Sequence, residues 1–133
     1  MPLSIGNIFY HEKFTFPDGG EGSKLLILLN TPVGDDNYLF CTITSQQHFR
    51  SKTYGCNIYK EYFFVPIGYD WFDKDTWILF DTIKPWKAAS ILKDSFDGLL
   101  YHQGTLESKR IREIVNCIQK TPTIENIYKS LIK

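Results

Sequence analysis

Neither sign of charge is in excess. Fifteen Lys and Arg residues face fifteen Asp and Glu, so no long-range field draws the chain toward nucleic acid, and any such binding must come from a local patch. Neutrality also removes one barrier to self-association, which is compatible with a dimer. No long apolar run is present either. The longest, LLILL at 25–29, is far below the roughly 20 residues that a membrane span requires, which predicts no membrane role. GxSxG, Walker, GxGxxG and HExxH patterns are all missing, which removes the corresponding hydrolase, nucleotide and zinc chemistries. The three cysteines, Cys41, Cys56 and Cys117, form no CxxC and stand far apart. An odd number of cysteines with no secretory h-region predicts reduced, buried thiols in a cytoplasmic protein. The histidines, His11, His48 and His102, lack metal-ligand spacing. Neither a metal nor a cofactor is expected, and His48 stays a candidate proton carrier.

Aromatic residues, by contrast, are plentiful, at 16% of 133 residues. A single domain of this length buries roughly two-thirds of its unfolded surface, and so many rings exceed what such a core hides easily. Some should lie at a binding surface, with Tyr54, Tyr62, Phe63 and Trp71 as candidates for stacking on bases.

The first two-thirds of the chain reads as strands. SIGNIFY at 4–10 and FTF at 14–16 form one, and the unbroken run Leu25–Leu29 reads as a strand covered on both faces. TPVGDDN at 31–37 is a turn cluster, followed by the strand YLFCTITS. NIYKEYFFVPI at 57–67 is the next strand, ended or placed at an edge by Pro66, and WILF at 77–80 is a short buried one. The last third changes period. A short helix is expected at 86–93. Ile111, Ile114, Val115 and Ile118 recur at helical spacing behind a cap at Thr105, with Lys109, Arg110, Arg112, Glu113 and Gln119 on the polar face. Thr123 can cap a further helix carrying Ile124, Ile127, Tyr128 and Leu131. Strands followed by helices predict an α+β fold with a small antiparallel barrel or sheet, the strands at about 4–83 and the helices at about 84–132 of a single domain.

Two stretches carry candidate chemistry. FPDGGEGSKLLILLN at 16–30 sets a glycine-rich tip before Lys24 and the apolar run. A hairpin hinge with a solvated cation explains it structurally, and a phosphate-facing loop explains it functionally. CTITSQQHFRSK gathers Thr42, Thr44, Ser45, Gln46, Gln47, His48, Arg50 and Lys52 at a strand end. Its hydroxyls and amides can donate to phosphate oxygens, with two cations just beyond, while a polar loop leaving a strand accounts for the same letters. Asp70, Asp73, Asp75 and Asp81 form the one carboxylate-rich stretch. A metal-dependent nuclease needs such carboxylates to converge on Mg²⁺, whereas turns and a solvated strand start explain them without a metal.

The order IGNIFY, a glycine loop, a basic residue, an apolar strand ending in Asn, and a strand closing with ITSQ resembles the MazF/PemK-like toxins. WFDKDTWILFDTIKPWKAASILK and LESKRIREIVNCIQ resemble that family's later strands, short helix and terminal helix, so the likeness covers most of residues 4–120. It implies a small antiparallel SH3-like β-barrel (MazF/PemK-like, CcdB-like) with C-terminal helices, usually a homodimer. The implied activity is metal-independent cleavage of single-stranded RNA, restrained by a cognate antitoxin protein. The family's arginine after the glycine loop and its strand-end threonine map to Lys24 and Thr44, with Ser45 beside them as catalytic neighbour. Glu21, Gln46, His48, Arg50 and Lys52 are the expected RNA-binding residues. Lysine keeps the charge but loses the planar fork that grips a phosphate at two points. The alternative is therefore an inactive barrel that binds protein or nucleic acid.

Overall fold

The computed structural model describes residues 3–16, 18–70 and 72–133; the stacking candidate Trp71 lies outside them. The elements run β1 (Asn7–Thr15), β2 (Glu21–Leu28), β3 (Tyr38–Thr44), β4 (Gly55–Asn57), β5 (Tyr62–Val65), β6 (Thr76–Trp86), α1 (Ala88–Phe96), β7 (Leu100–Thr105), α2 (Ser108–Lys120) and α3 (Asn126–Leu131). The strands form one sheet in the order β4-β5-β6-β3-β2-β1-β7, every neighbouring pair antiparallel. The fold is α+β.

The sheet does not close. Its edges, β4 and β7, share no ladder among the described residues, so the expected barrel is corrected to an open sheet. β4 has only three residues, and a disulfide from Cys56 to Cys117 ties it to α2. β7 covers the far edge by pairing with β1. Nor do the strands end near residue 83. β6 runs on to Trp86, and its outer half pairs only with β3. There Pro85 costs no ladder hydrogen bond on the open side.

Alternation along β1–β3 builds two cores. Ile8, Ile27, Leu29, Leu39, Cys41 and Ile43 pack toward Ile114, Cys117 and Ile118 of α2. Phe9, Leu26, Leu28 and Phe40 face the other way, onto Ile91 of α1 and Leu100. The Leu25–Leu29 run is unbroken because both faces of β2 are covered. At the start of β1, Gly6 (φ +90°) lets α2 approach closely, since a Cβ there would sit 2.3 Å from Ile111 Cδ1.

Several local expectations change. The 57–67 stretch is two strands joined by a turn in which Glu61 takes φ +60°. The N-caps of α2 and α3 are Glu107 and Glu125, not Thr105 and Thr123. Thr105 instead ends β7 and donates to Asn7 Oδ1 at 2.7 Å, while Thr123 donates to Glu61. Two of the three thiols are not reduced, being joined as Cys56–Cys117; Cys41 alone is free, and it is buried. Nothing in the local sequence marks that pair, because the fold brings together residues separated by 61 positions. The basis for a reducing compartment is removed with it. Among the described residues no helix is long and apolar enough to cross a membrane.

Candidate functional site

The ladder between β2 and β3 stops at Leu26 and Thr42, although β2 continues to pair with β1 as far as Glu21 and Thr15. The strands fork there. Continuing the register by two residues sets Lys24 opposite Thr44. The fork holds a groove of about 370 Å³, into which β2 sends Ser23 and Lys24 and the end of β3 sends Thr44, Ser45 and Gln46. Tyr10 of β1 and the loop residues Phe72, Asp73 and Lys74 complete the walls.

Lys24 is half-buried. Burial holds its ammonium below the ordinary lysine value of 10.5, and the Arg50 guanidinium lowers it further. None of the ion pairs among the described residues involves Lys24. Thr44 Oγ1 accepts from the Gln46 N–H at 3.2 Å, which fixes the strand end and leaves the hydroxyl hydrogen for a ligand. The groove thus offers an ammonium, hydroxyls and an amide, donors suited to phosphate oxygens.

The remaining site residues predicted from sequence lie around this groove without lining it. Glu21 is exposed at the start of β2, opposite Thr15. His48 is exposed with φ +48° in the loop after β3. Arg50 turns back to donate to Gln46 O at 3.1 Å. Lys52 pairs with Asp75 at 3.1 Å, whose carboxyl is held below the usual range first by the Ile67 N–H and then by Lys52. The glycine tip is no phosphate cradle. It is a tight hairpin, with Phe16 N–H donating to Gly20 O at 2.7 Å and Gly19 N–H to Phe16 O at 2.9 Å, and Lys24 lies inside β2 beyond it.

The four aspartates go to four different places. Asp73 lines the groove, Asp75 holds Lys52, and Asp81 lies beside Glu61 in an acidic cleft. Asp70 is buried against Arg110 of α2 at 3.2 Å. Arg110 is itself buried, although its neighbours on the helix read as a polar face. It also pairs with Glu113 at 3.0 Å and lies 5.4 Å from the Tyr54 ring and 4.9 Å from the Tyr69 ring. Burial and the Glu113 hydrogen bond push the Tyr54 phenol up to about 12. This network anchors the β5–β6 loop, whose next residues wall the groove.

Of the expected stacking rings, Tyr62 and Phe63 are buried and Tyr54 belongs to the Arg110 network. Tyr62 and Trp77 instead pin the loop after β3: Ser51 N–H donates to Tyr62 Oη at 3.0 Å, and Trp77 Nε1 donates to Ser51 O at 3.0 Å. The exposed ring on that loop is Phe49, 68% exposed, with Arg50 at 4.9 Å and Lys60 at 5.1 Å from its centroid. One apolar ring within QQHFRSK was the available sign. No protein-family model matches this chain, and neither a curated protein nor a solved structure matches it significantly.

Proposed function

We propose that the chain is a MazF/PemK-like endoribonuclease that cuts single-stranded RNA without a metal. The observation that carries the reading is the convergence of Lys24 and Thr44 on one groove. In the reaction the 2′-oxygen bonds to the adjacent phosphorus and loses its proton. The P–O5′ bond breaks, and the 5′-oxygen takes up a proton, leaving 2′,3′-cyclic phosphate and 5′-hydroxyl ends. The Lys24 ammonium stabilises charge on the phosphoryl oxygens and donates the proton to the departing oxygen. Thr44 and Ser45 donate hydrogen bonds to the same phosphate, and Gln46 orients it. Asp73, the one carboxylate in the groove lining, receives the 2′-hydroxyl proton. Arg50 seats a neighbouring phosphate. Lysine in place of a forked guanidinium leaves in-line alignment to the surrounding donors.

The same reading treats the open sheet as an unclosed relative of the SH3-like barrel. It also carries a homodimer as the working unit and a cognate antitoxin protein as the partner that restrains it. The second reading, a binding module without catalysis, is favoured by the missing guanidinium fork and by the zero net charge. The deciding measurement is incubation of purified protein with mixed-sequence single-stranded RNA in EDTA. Products ending in 2′,3′-cyclic phosphate are expected, with Lys24→Ala reducing the rate by about 100-fold or more. Lys24→Arg, which keeps the charge but is too weak an acid to give up the proton, should fall between wild type and Lys24→Ala. Intact RNA, or full cleavage by Lys24→Ala, rejects the nuclease reading.

A further inference from the structure

A second groove, of about 460 Å³, opens between β1, the end of β6 and α1. β1 contributes His11, Lys13 and Phe14, and β6 with its following residue contributes Lys84, Trp86 and Lys87. The first turn of α1 borders it through Ser90 and contains no acidic residue. Lys13, Lys84 and Lys87 are exposed, and none of them enters an ion pair among the described residues. Asp94, the carboxylate in the lining, is already engaged at 2.9 Å by His11 Nε2. His11 Nδ1 accepts from the Lys13 N–H at 3.2 Å, so Nε2 carries the hydrogen and donates it to Asp94. In a chain of zero net charge this is a local excess of cations around an aromatic ring. Trp86 is half-buried, held by edge-type contacts to His11 at 5.6 Å and Phe40 at 5.4 Å.

The two grooves are neighbours. His11 and Lys24 are Cα partners in the β1–β2 ladder, and directly opposed residues of an antiparallel pair share a face, about 5 Å apart. The two linings thus meet across one rung of the β1–β2 ladder, a separation that one extended strand of RNA can span.

We propose that this groove is a nucleotide subsite that holds one phosphorylated nucleotide of single-stranded RNA, the base against Trp86 and the phosphate among Lys13, Lys84 and Lys87. The inference rests on the RNA reading of the Lys24 groove and extends it to the adjoining nucleotide. A cation cluster beside a stacking ring is the combination that grips single strands irrespective of sequence.

The test uses a fluorescein-labelled, fully 2′-O-methylated oligoribonucleotide, which binds but cannot be cut, with anisotropy read at several salt concentrations. The triple variant Lys13→Gln/Lys84→Gln/Lys87→Gln, checked for an unchanged melting temperature, is expected to bind about tenfold more weakly or worse. Its plot of log affinity against log salt should flatten by about 0.7, the loss of one neutralised phosphate on a single strand. Trp86→Ala is expected to weaken binding without changing that slope. Equal affinity and equal slope in wild type and triple variant overturn the proposal. So does lysine-dependent binding of poly-glutamate by a protein that ignores the oligonucleotide. Lysine-dependent oligonucleotide binding by a wild type that cuts no RNA supports the subsite and rejects the nuclease instead.

Discussion

Lys24 and Arg110 are both drawn out of water, in opposite company. Arg110 is 4% exposed and is met by Asp70, Glu113 and two tyrosine rings. Lys24 is half-buried, faces a groove and has another cation, Arg50, as its electrostatic neighbour. A saturated cation fixes structure, since its charge is spent on partners within the chain. A cation left without a counterion at a fork between strands is costly to the fold unless something from outside supplies the anion. Placing the first under the wall of the groove and the second inside it divides positioning from binding.

Removing Arg110 should do the most damage. The Asp70 side chain is fully buried, so Arg110→Ala leaves it without its cation. About 3–5 kcal/mol of stability should be lost, read from urea unfolding under non-reducing conditions. A loss below about 1 kcal/mol would mean that the network is dispensable. The double variant Cys56→Ser/Cys117→Ser tests the same anchored side, because the disulfide holds α2 to β4. Opening a loop of 61 residues should cost about 2–4 kcal/mol. Equal melting with and without a reductant in the wild type would remove the disulfide from this account. The opposite side should respond with the opposite sign: Lys24→Met should leave stability unchanged or raise it by up to about 1 kcal/mol, because it deletes a desolvated charge near a like charge. Clear destabilisation by Lys24→Met would show that Lys24 is a structural cation like Arg110.

This division was only partly legible in the sequence. The Leu25–Leu29 run and the α2 spacing were readable because burial imposes a periodic demand along the chain. The stop at Pro66 was readable because proline cannot donate to a ladder. β7 was not, since of LYHQGT only Leu100 is buried and an edge strand held by β1 alone needs no alternation. Arg110 looked like one more solvated charge on a polar face. Its burial depends on Asp70, 40 positions away, which no window on the helix contains. The Cys56–Cys117 pair was hidden for the same reason. Lys24 and Thr44 could be named from a motif, yet their convergence depends on the β2–β3 register and on where that ladder stops. The second cationic groove assembles lysines from β1 and β6 that lie some 70 positions apart in sequence.

The smallest effect is also the most specific to Lys24. Its folded pKa lies below 10.5, so the unfolded chain binds more protons at this site within the window between the folded value and 10.5. Stability from this group therefore rises with pH across that window, as the buried charge is lost. Cleavage should move the other way, because the ammonium that donates to the 5′-oxygen disappears as pH passes the folded value. Arg50→Gln removes the like charge and should carry the alkaline limb of the cleavage profile toward higher pH, with little change in the rate per protonated enzyme at saturating RNA. Burial is the larger cause of the lowered value and Arg50 the smaller, so the limb should remain short of the value for a free lysine. A limb that stays fixed in Arg50→Gln, or a rate that keeps climbing through pH 10.5, would assign the donated proton to a group other than Lys24.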